Sequence, residues 1–146
     1  MMQYELQISR NDLLRLQDHA DMMLPDEAVA LLFGTISGIS VHITRVEFME
    51  NTSATAHTSF SVSPEVEYDL LVEAEKRGEF LVGIYHSHPA SPRPSQSDLR
   101  NMRLNPVVWL VASRLTGSWI VKGYTLEENG AVEVVMHVLE SHDSIP

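Results

Sequence analysis

Two histidines one residue apart, His86 and His88, close an apolar run, and an aspartate, Asp98, follows ten residues after the second. On a strand, side chains at i and i+2 point to the same face. The spacing therefore lets two imidazoles stand side by side where the strand ends. Neutral imidazole nitrogen is a preferred zinc ligand, at about 2.0–2.1 Å. A third ligand has to come from another element, and Asp98 stands near the start of a short helix that the loop Ala90-Ser-Pro-Arg-Pro94 can fold back toward the strand end. Two histidines and one carboxylate leave a tetrahedral position open, the mark of a catalytic rather than a structural zinc. Such an ion brings the pKa of a water down toward ~7. A carboxylate that is not a ligand then normally collects the proton and hands it to the leaving amine. Glu27, at the head of an apolar run where burial would raise its pKa, is a candidate for that base. Spacing alone does not single it out from twenty acidic residues.

The elements that must position these groups read as alternating short strands and helices. Tyr4 to Ile8 suits a short edge strand, and Ser9 can cap a helix carrying Leu13, Leu14, Leu16 and Ala20. Pro25 ends that helix or the loop after it. Glu27 to Ile36 is nearly all apolar and suits a strand buried on both faces. Ser37 to Ser40 reads as a turn, and Val41 to Glu50 alternates as a strand. Asn51 to Ser59 is a polar loop, Phe60 to Ser63 a brief strand, and Ser63-Pro64-Glu65 a helix start. That helix carries Val66, Leu70, Leu71 and Ala74 on one stripe and stops near Gly78. Phe80 to Tyr85 is the strand that runs into the histidines, and Ser95 to Met102 is a second short helix. Three strands follow, Val107–Ser113, Trp119–Leu126 and Ala131–Leu139, with turns at Thr116-Gly117 and Asn129-Gly130, the latter a strong hairpin signal. The order is mixed α/β, with helices laid against a partly antiparallel sheet.

Composition limits the alternatives. At 146 residues the chain has the length of one domain, and a core of that size needs no covalent staple. There is no cysteine, which excludes disulfides, thiolate zinc sites and a cysteine nucleophile. The net charge of −10 and the lack of a Lys/Arg cluster argue against nucleic acid as a partner. No apolar stretch approaches the ~20 residues that cross a bilayer, so no membrane role is expected. The start MMQYELQISR lacks a basic region followed by an apolar core, which points away from secretion and toward the cytoplasm. A thermolysin-like H-E-x-x-H helix and the H-x-E with P-C-x-x-C of zinc deaminases are both missing.

Individual side chains carry bland readings beside the chemical ones. Ser95 could donate to an oxyanion, or simply cap the helix of Asp98, since Ser95-Gln-Ser-Asp98 is close to a capping box. Ser87 reads as support for the strand, because no G-x-S-x-G surrounds it. His19, His42, His57, His137 and His142 read as surface or half-buried, with His57 the one that could lie near a substrate. Trp109 and Trp119 read as core or sheet-face residues, Met22 and Met23 as packing at a helix end, and Arg93 as a solvated loop charge.

These motifs together resemble the JAMM (MPN-plus) metalloprotease family. Its pattern is P-x-E-x-x-G-x-L-x-G, then H-S-H-P, then a serine separated by two residues from an aspartate. The chain has Pro25-Asp-Glu27-Ala-Val-Ala30-Leu-Leu-Phe-Gly34, His86-Ser-His88-Pro89 and Ser95-Gln-Ser-Asp98, and Asn51 and Phe60 to Pro64 are similar to the family's middle segment. The resemblance spans about residues 4 to 138. Ala30 stands where the family has glycine, and the Pro89–Ser95 spacer is that of compact prokaryotic members. Carried over, the pattern makes His86, His88 and Asp98 the ligands of one catalytic zinc, Glu27 the acid/base and Ser95 the oxyanion donor. It implies a single MPN (cytidine-deaminase-like) domain over residues 1–146, with a mostly antiparallel mixed sheet flanked by helices. The implied activity is cleavage of the isopeptide bond between the C-terminal glycine of a ubiquitin-like protein and a lysine. The implied partner carries a Gly-Gly tail bound as an added strand, in a tunnel too narrow for side chains. Two alternatives stand beside it, release of cysteine or a small adduct from a ubiquitin-fold sulfur carrier, and a non-catalytic binding module. The oligomeric state is open, a homodimer included.

Overall fold

Ser9 closes the first strand and caps the first helix, its hydroxyl accepting the Asp12 amide at 3.0 Å. The structure is a computed structural model and describes residues 3–88, 92–114 and 117–140. Pro89 of the expected H-S-H-P, part of the Ala90–Pro94 loop, Thr116 and His142 lie outside the described residues. The elements run β1 (Glu5–Ser9), α1 (Arg10–Met23), β2 (Val29–Ser37), β3 (Ser40–Met49), α2 (Pro64–Lys76), β4 (Phe80–His88), α3 (Gln96–Leu104), β5 (Val108–Ser113), β6 (Ile120–Glu127) and β7 (Gly130–Leu139).

The seven strands form one mixed sheet in the order β1-β3-β2-β4-β5-β6-β7, and β7 pairs back onto β1. Pairing is parallel for β1 with β3, β1 with β7 and β4 with β5, and antiparallel elsewhere. The expected edge strand is therefore not at an edge. β1 has a neighbour on each side, and its Leu6 and Ile8 are fully buried.

Both faces of β5, and of β2 as far as Gly34, are covered, as continuous apolar runs require. Thr35, Ile36 and Ser37 at the end of β2 are exposed, so the expected buried run stops short of Ile36. Ala28, Ala30, Leu32, Leu110 and Ala112 join the cluster that holds Leu16 and Ala20 of α1. Val29, Leu31, Phe33, Trp109 and Val111 join a second cluster with Ala74 of α2 and Met102 of α3. Ala30, the alanine at the family's glycine position, is simply packed there.

Three local expectations change. Residues 60–63 form no strand, because their chain is tied to the preceding loop (Thr52 N–H to Ser61 O, 2.9 Å) while Phe60 and Val62 tuck into the second cluster. α2 meets the sheet through Leu70 and Ala74 only, one turn apart, so Val66 and Leu71 of the expected stripe remain exposed. Met22 is 80% exposed at the end of α1, whereas Met23 packs inward. The last hairpin forms as expected, with Gly130 at φ 126° pairing with Glu127.

The register between β2 and β3 shifts at Gly34. A Cβ there would stand 1.8 Å from the His42 carbonyl oxygen, a backbone atom that cannot swing aside. Gly34→Ala is expected to cost about 3 kcal/mol or more, as overpacking against backbone does. Urea unfolding measures this, and an unchanged midpoint would mean that the bulge relaxes freely.

Candidate metal centre

The i, i+2 rule places His86 and His88 on the face of β4 that also carries Ile84, toward the second cluster. α3 packs Met102 into that same cluster. Asp98, one turn before Met102, is thereby carried to the histidines. The start of α3 is pinned by a reciprocal cap: Ser95 Oγ accepts the Asp98 amide at 3.0 Å, and Asp98 Oδ2 accepts the Ser95 amide at 2.8 Å. The aspartate that faces the histidines is thus also the residue that completes the cap.

Asp98 Oδ2 lies 3.1 Å from His86 Nε2 and 3.9 Å from His88 Nε2. One ligand-type atom from each residue falls within 4.8 Å of the others. All three side chains are buried, with His86 fully so. Its ring is wedged between Phe60 (4.9 Å between centroids) and the edge of Trp109 (5.9 Å). Burial works against ionisation of Asp98. Its hydrogen bond and charge interaction with His86, together with the Ser95 contacts, nevertheless hold the carboxyl below its ordinary value. The group therefore stays anionic at neutral pH. An anionic oxygen and two imidazole nitrogens converging away from solvent make a donor set that fits a divalent cation.

Glu27 stands just ahead of β2, whose first residue, Val29, is paired antiparallel with His86. Ser87, between the two histidines, holds the junction: its Oγ accepts the Ala28 amide at 2.9 Å and its own amide donates to Ala28 O at 3.0 Å. Ser87 is thus a strand support, as its surroundings in the sequence suggested. Glu27 is only 6% exposed. Desolvation pushes its carboxyl up to about 7, opposed by the His86 charge and reinforced by that of Asp98. A carboxyl titrating near neutrality can both take and return a proton at working pH.

Glu27, Ser87 and His88 open onto a cleft of about 680 Å³ whose other walls include Leu24, Pro25, His57, Arg114 and Trp119. Trp119 Nε1 donates to Asp21 Oδ1 at 2.8 Å, and Arg114 reaches the same oxygen at 3.2 Å. α1 therefore braces that wall.

The family model of prokaryotic homologs of the JAB domain, Prok-JAB, matches residues 9–123. The chain belongs to this family. A desampylase of Pyrococcus furiosus is 33% identical over 108 residues, 73% of this chain and 74% of that one. A desampylase of Haloferax volcanii is 31% identical over 90 residues, 61% of this chain and 63% of its own. A Desulfitobacterium hafniense protein of known solution structure matches at a TM-score of 0.79 and 26% identity, over 94% of this chain and 96% of that one. The Prok-JAB chain is a compact prokaryotic JAMM-type protein and a hydrolase.

Of the residues singled out in the sequence, the Prok-JAB fold gathers His86, His88 and Asp98 into one group and sets Glu27 beside them. Ser95 is the exposed cap of α3, and the described lining of the cleft does not include it. Trp109 is core, as expected, whereas Trp119 is a cleft wall. His57 reaches the cleft and pairs with Asp26 at 3.3 Å. Arg93 lies by Lys122 and Tyr124, in a different depression. Nothing in the sequence marked the Asp21–Arg114–Trp119 wall, because its members lie far apart in the chain and no chemistry links their types.

Proposed function

We propose that this Prok-JAB chain is a zinc-dependent isopeptidase that hydrolyses the bond between the C-terminal glycine of a ubiquitin-like protein and a lysine. The observation that carries the reading is the buried convergence of His86, His88 and Asp98 beside a carboxyl, Glu27, held near neutral pKa at the head of a cleft. The two relatives that bear the name desampylase support the choice of reaction. In this reading residues 1–146 are one JAMM/MPN domain of the cytidine-deaminase-like fold, its helices flanking the sheet, and the enzyme works in the cytoplasm.

His86 and His88 would hold the zinc through Nε2, and Asp98 through the carboxylate oxygen that already faces both rings. Bound there, zinc supplies a Lewis acid that acidifies water and polarises the scissile carbonyl. Glu27 takes the proton from the attacking water and gives it to the departing lysine amine. Ser95 Oγ, set in place by the Asp98 amide, donates to the carbonyl oxygen as charge builds on it. β4 has β2 on one side and β5 on the other up to the histidines. Recognition of the Gly-Gly tail therefore falls to the cleft rather than to a free edge of β4.

The test is cleavage of lysine conjugates of the host's own ubiquitin-like proteins by the zinc-loaded protein. We expect cleavage, its loss with a chelator and its return with added zinc. Intact conjugates, with cysteine released from a sulfur-carrier adduct, would move the chain to the small-adduct reading.

A further inference from the structure

The loop between β3 and α2 does more than connect them. Both main-chain polar groups of Glu27 are bonded to it: the Glu27 amide donates to Ala56 O at 2.7 Å, and the Glu27 carbonyl accepts Asn51 Nδ2 at 2.9 Å. The same Asn51 amide also donates to Ser59 O at 3.0 Å and to Ala56 O at 3.4 Å. Its Oδ1 accepts the amides of Ser53 at 3.1 Å and Ser61 at 3.3 Å. One side chain thus gathers the loop into a single turn and attaches that turn to the residue proposed as the base. The next residue, Ala28, is fixed through both its main-chain groups by Ser87, between the two histidines. The backbone under Glu27 is therefore clamped on one side by the loop and on the other by the strand bearing the ligand pair.

We infer that Asn51 is a positioning residue for Glu27, acting through the Glu27 carbonyl to hold the carboxyl over the cleft. This inference rests on the proposed role of Glu27 as acid/base. An acid/base group works only within hydrogen-bond reach of the proton it moves, and a displacement of about 1 Å can cost about 10²-fold in rate. Without the Asn51 donor the Glu27 carbonyl loses its partner, and the backbone ahead of Ala28 is held by the Asp26 amide on Met23 O and the Glu27 amide on Ala56 O alone.

The test uses Asn51→Ala and Asn51→Asp in the zinc-loaded enzyme, with kcat and KM on a lysine conjugate, zinc content, and each variant again in a Glu27→Gln background. Asn51→Asp keeps an acceptor for the Ser53 and Ser61 amides, and replaces the donor with a carboxylate oxygen that repels the carbonyls of Glu27, Ala56 and Ser59. We expect each single variant to lose about 10²-fold in kcat with a much smaller change in KM and zinc content unchanged. In the Glu27→Gln background we expect no further loss, because groups that act as a unit are not additive. Ser59→Ala loosens the loop's hydroxyl contacts with Ser53 and Thr55 while sparing Asn51. It should keep kcat within about twofold, since it spares the clamp on Glu27. Wild-type kcat in either Asn51 variant overturns the inference. So does an equal loss in the Glu27→Gln background, loss of zinc, or failure of both variants to fold. Full activity of Glu27→Gln alone would instead overturn the proposed function.

Discussion

Glu27→Gln is expected to lower turnover by about 10²–10⁴-fold, the share usually carried by a general acid/base, and at the same time to make the metal-free protein more stable at pH 8. The two effects have one origin. Glu27 is buried, and burial lifts its carboxyl to about 7. The folded chain consequently holds a proton there that the unfolded chain has released by about pH 4.5. Stability then falls as pH rises from the unfolded value to the folded one, because the native state binds more protons across that window. Above about pH 7 the full cost of a buried carboxylate is present, up to about 3 kcal/mol for a shift of this size. The amide is close in shape and carries no charge. The gain of Glu27→Gln is thus greatest at pH 8 and vanishes near pH 4, where both side chains are neutral. Urea unfolding in chelator at the two pH values measures it, beside conjugate cleavage by the zinc-loaded pair. Equal stabilities at pH 8 would show that burial of this carboxyl carries no cost, and unimpaired turnover that the carboxyl is not used.

The second large effect concerns the ion. A metal that binds only the folded chain stabilises it by about 4 kcal/mol when present at a thousandfold excess over its dissociation constant. For a chain of this length that corresponds to a rise of about 10 °C in Tm. Zinc added to chelator-stripped protein should give a rise of that order, and Asp98→Asn should remove most of it. The reason lies in what Asp98 contributes. Its carboxyl is held anionic by His86 and Ser95 despite burial, whereas the amide offers a neutral oxygen to a dication. The N-terminal cap of α3 is a separate matter, since Asn can still accept the Ser95 amide. Asp98→Asn without zinc should therefore remain folded, and differential scanning calorimetry with and without zinc separates the two roles. A zinc-induced shift of full size in Asp98→Asn would remove Asp98 from the ligand set.

Part of the site is legible in the sequence because its densest part is local. His86 and His88 owe their shared direction to the two-residue period of a strand, and Ser95 and Asp98 owe theirs to the geometry of a helix start. Both relationships are fixed by chain connectivity over a few residues. Of the two readings of Ser95, the cap is observed, and Asp98, which completes the capping box, also faces the two imidazoles. The expectations that changed concern elements whose fate depends on neighbours. Alternation in Tyr4–Ile8 could not reveal that β1 would be flanked on both sides, and the apolar residues of α2 could not reveal how few of them the sheet accepts.

What the sequence by itself determined was the inventory: which donors exist, which pairs share a face, where helices start, and that no thiol chemistry is available. What only the tertiary structure decided was convergence. Asp98 meets the imidazoles because Met102, a turn further on, is buried against the same cluster as Trp109 and Val111. Glu27 lies beside them because β2 pairs antiparallel with β4 and a side chain 24 residues further along, Asn51, grips its backbone. Those contacts join parts of the chain whose local patterns carry no trace of one another. The physical reason is that packing and long-range pairing, unlike turns and periodicity, are satisfied only once the whole sheet is assembled.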